Sequence, residues 1–323
     1  MSLTQTHCPD ASAILMAQSR IKPFINHTPV LTSTTIDRLI DAQVFFKCEN
    51  FQKVGAFKAR GASNAVLSLE QNEIINGVAT HSSGNHAQAL SWAASLVNTK
   101  AYIVMPKNSS KIKVEAVKDY GGFITFCEPT LASREETLAM VIKKTGAVEI
   151  HPYNDYRVIA GQATAAKELI EEINDLDLIL VPVGGGGLLS GTSLSAYYFS
   201  SHTKVIAVEP ANADDAWKSF NRKQFVPSVN PLTIADGLRT SLGDLTFPII
   251  MKHVEDIVTV TEGSIAKAMR YLLERMKILV EPSSAVPFAA LLEKKLDIRK
   301  TKIGVILTGG NVDLDSLPWL KHE

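Results

Sequence analysis

The sequence predicts an α/β protein of two lobes, each a parallel sheet flanked by helices, and three observations carry that prediction. Short apolar runs of strand length alternate with helix-patterned segments over nearly the whole chain. Its 323 residues exceed a typical single domain, so two lobes with a cleft between them are expected. Leu178 to Ala196, LILVPVGGGGLLSGTSLSA, spells a strand, a glycine turn and a helix. In open parallel sheets, ligands bind beyond the carboxyl ends of strands, where this turn falls.

Taken in order, Ser12 to Phe24 is patterned as a helix. The turn Asn26-His27-Thr28-Pro29 follows, because the residue before a proline disfavours helix; His27 is a turn or capping residue there. Val44 to Glu49 has the β-branched and aromatic content of a strand, broken by Asn50 to Gly55. Ala56 to Leu69 is helical, with Ala62, Ala65, Val66 and Leu69 at intervals of three and four, which leaves Lys58 in or just before the first turn. From Gly77 the strands Val78 to His81, Tyr102 to Met105, Phe123 to Cys127 and Val148 to His151 alternate with helices and suggest a small lobe. The helix carrying Leu138, Val141 and Ile142 is stopped by Gly146. A second series, Leu178 to Val183, Val205 to Val208, Ile257 to Val260 and Ile303 to Leu307, supplies a larger sheet. Ile265, Ala268, Met269, Leu272, Leu273 and Met276 form one stripe, expected to mark the longest helix, with its methionines as core filler.

Composition narrows the partners. Hydrophobic content of 46%, charge of 20% and a formal net charge of zero give no electrostatic reason for nucleic acid or an anionic membrane as partner, so a small molecule is expected. No apolar run approaches membrane-spanning length and no leader pattern opens the chain, which suggests a cytoplasmic protein. Cys8, Cys48 and Cys127 are odd in number and far apart, against a disulfide framework or a zinc site.

The chemistry-bearing segments converge on one ligand. Gly184 to Gly187 remove every β-carbon from a turn that opens a helix, so backbone N–H groups can gather on a phosphate. The spacing is neither G-x-G-x-x-G nor G-x-x-x-x-G-K-[ST], which disfavours dinucleotides and nucleoside triphosphates; a plain tight turn stays open as the alternative. Lys58, in KVGAFKARGA, sits between glycines at 55 and 61. Desolvation there would make its amine a nucleophile for a carbonyl, whereas most lysines are solvated. A phosphate cradle with a reactive amine suggests pyridoxal phosphate, which carries an aldehyde and a phosphate on one ring. His81-Ser82-Ser83-Gly84-Asn85-His86 ends a strand and opens a helix, and could hold both ring and carboxylate. Thr308, in LTGGN, ends the last strand and could share a hydrogen bond with a ring nitrogen.

On GAFKARGA, SSGNHAQA, GGGGLLSG and TGGNVDL, in that order and spacing over essentially the full chain, the protein resembles the fold-type II pyridoxal-phosphate enzymes of the serine racemase and serine/threonine dehydratase group. The resemblance implies a large cofactor domain, 1–76 and 149–323, and a small mobile domain, 77–148. It makes Lys58 the Schiff-base lysine, with Phe57 beside it. Gly184, Gly185, Gly186, Gly187 and Leu188 become the phosphate loop, Asn85 the neighbour of the ring hydroxyl, and Thr308, usually serine in the family, the partner of the pyridine nitrogen. Ser82, Ser83, His86, Arg134 and Ser241 fall where relatives contact substrate. In VEPANADDA, Glu209, Ala213 and Asp215 match a divalent-metal site suited to Mg²⁺, Ca²⁺ or Mn²⁺, whereas the residues alone read rather as a solvated acidic loop. A homodimer is implied.

The activity so implied is α,β-elimination of water from an L-3-hydroxy amino acid, L-serine or threo-3-hydroxyaspartate, to a 2-oxo acid and ammonia. Lys58 acts as general base, and Ser83, on the opposite cofactor face, permits serine racemisation. Ala56 stands where many dehydratases have serine, as in some racemases and 3-hydroxyaspartate dehydratases, and the chain ends too soon after the glycine-asparagine motif for the regulatory domain of biosynthetic threonine deaminases. Arg134 could pair with a second substrate carboxylate, although a surface helix residue is its simpler reading. Catabolic threonine dehydratase and a non-catalytic phosphate-ligand binding protein are the competing readings.

Overall fold

A computed structural model describes residues 7–320. The strands in chain order are β1 (Val30–Leu31), β2 (Gln43–Cys48), β3 (Val78–His81), β4 (Ala101–Pro106), β5 (Gly122–Cys127), β6 (Val148–Glu149), β7 (Leu178–Pro182), β8 (Lys204–Pro210), β9 (Asp256–Val260) and β10 (Lys302–Leu307). They form a six-stranded sheet, β1-β2-β10-β7-β8-β9, and a four-stranded sheet, β5-β4-β3-β6. Every pairing is parallel except β1 with β2. All five residues of β7 are buried, as expected where helices cover both faces of a parallel sheet.

One feature of the larger sheet positions the site. The last strand, β10, inserts between β2 and β7, pairing Leu307 with Cys48 and Val305 with Leu180. Segments distant in sequence, the Lys58 stretch after β2, Thr308 after β10 and the glycines after β7, therefore leave one sheet edge side by side. Backbone bonds then stitch two of them together. Phe57 N donates to Thr308 O at 2.9 Å, Gly310 N to Gly55 O at 2.9 Å, and Ala56 bridges Gly309.

That bridge explains a shift from the sequence expectation. The helix anticipated from Ala56 runs Lys58–Leu67, because Ala56 is extended (φ −160°, ψ 153°) to meet Gly309. The first helix, Ala11–Ile21, starts where the Asp10 carboxylate accepts from Ala13 N at 2.8 Å. Gly146 ends its helix in the left-handed region (φ 72°), as its position suggested. The longest helix is not the methionine-bearing Glu262–Met276, 15 residues, but Tyr156–Glu172, 17 residues. It is buried from Val158 to Leu169, taking the polar Gln162, Thr164, Lys167 and Glu168 inside with its apolar residues. Met269 lies in the core and Met276 packs against it.

A buried charge cluster locks this long helix to the lysine-bearing one. Arg60 forks onto Glu49 (Nε–Oε2 2.7 Å, Nη2–Oε1 2.8 Å) and onto Glu168 (Nη1–Oε1 and Nη2–Oε2, both 2.7 Å). Lys47 Nζ adds a bond to Glu168 at 2.8 Å and one to Thr28 O at 2.7 Å. Two cations face two anions out of water, each with hydrogen-bond partners, which is the condition for burying charge without a large penalty. Arg60 lies two residues beyond Lys58, so the cluster fixes the start of the helix that presents the amine.

Candidate active site

The Lys58 amine donates to the carbonyl of Pro152 at 2.6 Å. Burial pushes its pKa down to about 8, partly opposed by the nearby Glu281 charge. The next residue, Tyr153, joins this amine to the glycine turn: a β-carbon on Gly185 would sit 2.2 Å from the Tyr153 ring, and one on Gly187 would sit 2.9 Å from its Cβ. Gly186 has φ +88° and caps the Gly187–Phe199 helix with no side-chain bond to its free N–H groups. Thr246 Oγ1 donates to Gly185 O at 2.9 Å and accepts from Gly243 N at 2.8 Å, which holds the turn from beneath. Leu188 contributes only backbone to this rim, its side chain being core, and Phe57 is half-buried with its ring centroid 5.0 Å from the Lys58 amine.

Thr308 Oγ1 is buried and has no hydrogen-bond partner among the described residues. Opposite it, Asn85, first residue of the Asn85–Ser95 helix, donates from Nδ2 to both oxygens of Glu281 at 3.0 Å and accepts from Asn311 Nδ2 at 2.9 Å. Burial pushes the Glu281 carboxyl up to about 7. His86 is buried beside them. Its Nε2 meets Ile150 O at 2.9 Å, and burial followed by the Lys58 charge drives its pKa down to about 3. A neutral ring facing a carbonyl must carry its proton on Nε2, so Nδ1, unpartnered, is a free acceptor.

Ser82 and Ser83 are half-buried at the end of β3, and the Ser82 hydroxyl accepts from Gly84 N at 3.4 Å. Arg134 is half-buried rather than a solvated helix residue. Its Nε is buried without a partner, and its charge, after burial, lowers the pKa of His81 next to these serines. Ser241 follows Thr240, which touches Gly184, but its hydroxyl accepts from Ser228 N at 2.8 Å.

Glu209, Ala213 and Asp215 gather at a separate place. The Glu209 oxygens accept from Ala216 N at 3.0 Å and Trp217 N at 2.8 Å. Both Asp215 oxygens are buried without partners. Burial raises Glu209 well above the usual carboxylate range and Asp215 to about 6. Among the described residues no three His, Cys, Asp or Glu side chains cluster as a metal site, so backbone or water oxygens would have to complete this one.

Sequence reasoning missed Pro152, Tyr153, Thr246 and Glu281. Glu281 had a signal, being the one charge in ILVEPSSAVPFAALL, Ile278 to Leu292. The other three had none, since their roles depend on which turn they face.

Comparison with known proteins follows the same lines. A family model described as pyridoxal-phosphate dependent enzyme matches residues 21–309. The chain is 49% identical over 313 residues to a beta-hydroxyaspartate dehydratase of Paracoccus denitrificans, covering 97% of this chain and 99% of that protein. It is 48% identical to a serine racemase of Arabidopsis thaliana, covering 97% and 96%. The crystal structure of serine racemase from Dictyostelium discoideum superposes with a TM-score of 0.90 at 46% identity, covering 94% of this chain and 99% of that one.

Proposed function

Since the chain belongs to the family of pyridoxal-phosphate dependent enzymes, we propose that it eliminates water from L-threo-3-hydroxyaspartate, and from L-serine more slowly, to a 2-oxo acid and ammonia, with serine racemisation as a side reaction. The observation that carries this is the desolvated Lys58 amine, bonded to Pro152 O beside the Tyr153 ring that covers the glycine turn.

The residues fit the cofactor. Lys58 would hold its aldehyde, the Gly184–Gly187 backbone its phosphate, and the unpartnered Thr308 hydroxyl its ring nitrogen. When bound, the group supplies an electrophilic carbon for the substrate amine and a ring that accepts electron density from Cα. The Lys58 amine would take the α-proton, and its depressed pKa keeps a useful fraction unprotonated near neutrality. Ser83 would return a proton to Cα in racemisation, while Ser82 and the His86 acceptor would orient the substrate. The same proposal includes closure of a small domain, 77–148, on the remainder, a homodimer and a cytoplasmic location. Among the described residues no helix is long and apolar enough to cross a membrane.

Arg134 favours a dicarboxylate, because an unpartnered buried guanidinium N–H gains most from a second carboxylate. Turnover compared on L-serine, D-serine, L-threonine and threo- and erythro-3-hydroxyaspartate tests this. Arg134→Ala is expected to lower kcat/KM for 3-hydroxyaspartate by roughly 10–100-fold, the worth of a charge-assisted bond, and for L-serine by less than about threefold. Equal losses, or conversion of L-threonine alone, would overturn the substrate assignment.

Glu209, Asp215 and the Ala213 carbonyl are proposed to hold Mg²⁺, or Ca²⁺ or Mn²⁺. Both carboxyls have raised pKa values, so without a cation they contribute stability at low pH that disappears as pH rises through about 6 for Asp215. A cation replaces those protons. Added Mg²⁺ should therefore raise the Tm more at about pH 7.5 than at about pH 5.5, and Asp215→Asn should abolish the difference. Equal shifts at both pH values would remove the metal from this site.

A further inference from the structure

Asn85 reaches across from the small lobe, and two large-lobe residues determine which end of its amide points where. Asn311 Nδ2 donates to Val54 O at 2.8 Å. A carbonyl can only accept, so the Asn311 amide cannot be reversed without breaking that bond. Its other proton goes to Asn85 Oδ1 at 2.9 Å, which obliges Asn85 to present Nδ2 to Glu281. One Nδ2 proton is thereby shared between two carboxylate oxygens at 3.0 Å, and the second is left over.

Glu281 faces Asn85 and Asn311 with its side chain. Its backbone N–H is used by Gly309 O at 2.9 Å, and although it stands at the N-cap of the Pro282–Leu292 helix its side chain caps nothing there. A β-carbon on Gly309 would lie 3.1 Å from its Oε1, so the carboxyl is pressed against the Thr308-Gly309 turn. Charged groups act on it from three elements: Lys58 at the start of the Lys58–Leu67 helix, Asp236 on the Asp236–Leu238 turn, and Lys113 on the Lys111–Asp119 helix of the small lobe. Lys113 and Asp236 are themselves an ion pair joining the lobes.

We infer that Glu281 and Asn311 are positioning residues that fix the Asn85 amide as a hydrogen-bond donor to the ring oxygen of the cofactor, and that the Lys113–Asp236 pair, on a turn tied beside Glu281 by Gly237 N donating to Ser283 Oγ at 3.1 Å, adjusts the charge that burial leaves on Glu281. The inference rests on the proposed contact of Asn85 with that ring. A charged Glu281 grips the Asn85 amide with a charge-assisted bond and places negative potential beside the ring; a protonated one does neither. Near-neutral pH is where the change falls, since the carboxyl sits at about 7.

The test is a pH titration of the visible absorption band of the purified holoenzyme, with cofactor affinity measured separately. The wild-type spectrum should change with a midpoint near 7, and Glu281→Gln should remove that step while keeping the band. Lys113→Met, which deletes a nearby positive charge, should move the midpoint up. Asp236→Asn, which deletes a negative one and frees Lys113, should move it down. Asn311→Ala should weaken pyridoxal phosphate binding by roughly two- to tenfold, the worth of one neutral hydrogen bond. A purely structural Glu281 would give none of the spectral shifts. An unchanged titration in Glu281→Gln, a wild type with no step near neutrality, or shifts of one sign in both seam variants would overturn the inference while leaving the Lys58 assignment intact. Absence of a visible band in wild type, or its survival in Lys58→Ala, would overturn both.

Discussion

Lys58→Ala should produce a colourless protein that folds and has lost turnover on every 3-hydroxy amino acid by at least roughly 10⁴-fold, the upper end of what one proton-transferring group contributes. The expectation is that large because one amine is proposed to do two jobs, covalent attachment and proton removal. Desolvation matters to both. Lowering the pKa from 10.5 to about 8 enlarges the neutral fraction at neutral pH by on the order of a few hundredfold. Uptake of pyridoxal phosphate by the apoprotein should accordingly accelerate with rising pH and level off above about 8. Lys58→Arg separates position from chemistry, since a guanidinium stays protonated. Absorbance of the purified variants together with keto-acid release decides the matter. Wild-type levels of either in Lys58→Ala would remove the amine from the mechanism.

Arg60→Met should cost about 3–5 kcal/mol of unfolding free energy, the usual result of breaking a buried ion network from one side. Glu168 would keep Lys47 while Glu49 would keep only the Thr28 hydroxyl, leaving one uncompensated negative charge out of water. Measured against a typical stability of about 5–15 kcal/mol, such a loss is severe. Urea unfolding is the measurement, with Arg60→Lys expected to fall between the two, because an ammonium keeps the charge but not the fork that meets both carboxylates. Activity should decline as well, because Arg60 fixes the helix start that carries Lys58. A loss under about 1 kcal/mol would mean that solvent reaches the cluster after all.

Most strands of both sheets were legible in the sequence because each is a short apolar run closed by a turn residue, a local pattern needing no knowledge of its partners. Its limits were also local. Tyr156–Glu172 went unassigned although Ile159, Ala163, Ala166 and Ile170 recur at helical spacing in it, and Ala56 was drawn into a helix because its bridge to Gly309 lies 253 positions away in the chain. The Arg134 environment was misjudged for the same reason. Its sequence neighbours Ser133, Glu135 and Glu136 are polar, yet its Nε is buried without a partner.

What the sequence alone determined is the chemistry on offer: a lysine between glycines, four glycines opening a helix, a serine-asparagine-histidine turn and a hydroxyl after the last strand. Only the tertiary structure decided that these belong to one place, because the insertion of β10 between β2 and β7 is a long-range pairing with no local sequence signature. It also supplied Pro152, Tyr153 and Glu281, whose parts in the site arise from the groups they meet across the cleft. Backbone periodicity is written residue by residue, whereas burial, proton affinity and the orientation of an amide depend on neighbours that the chain brings together only when it folds.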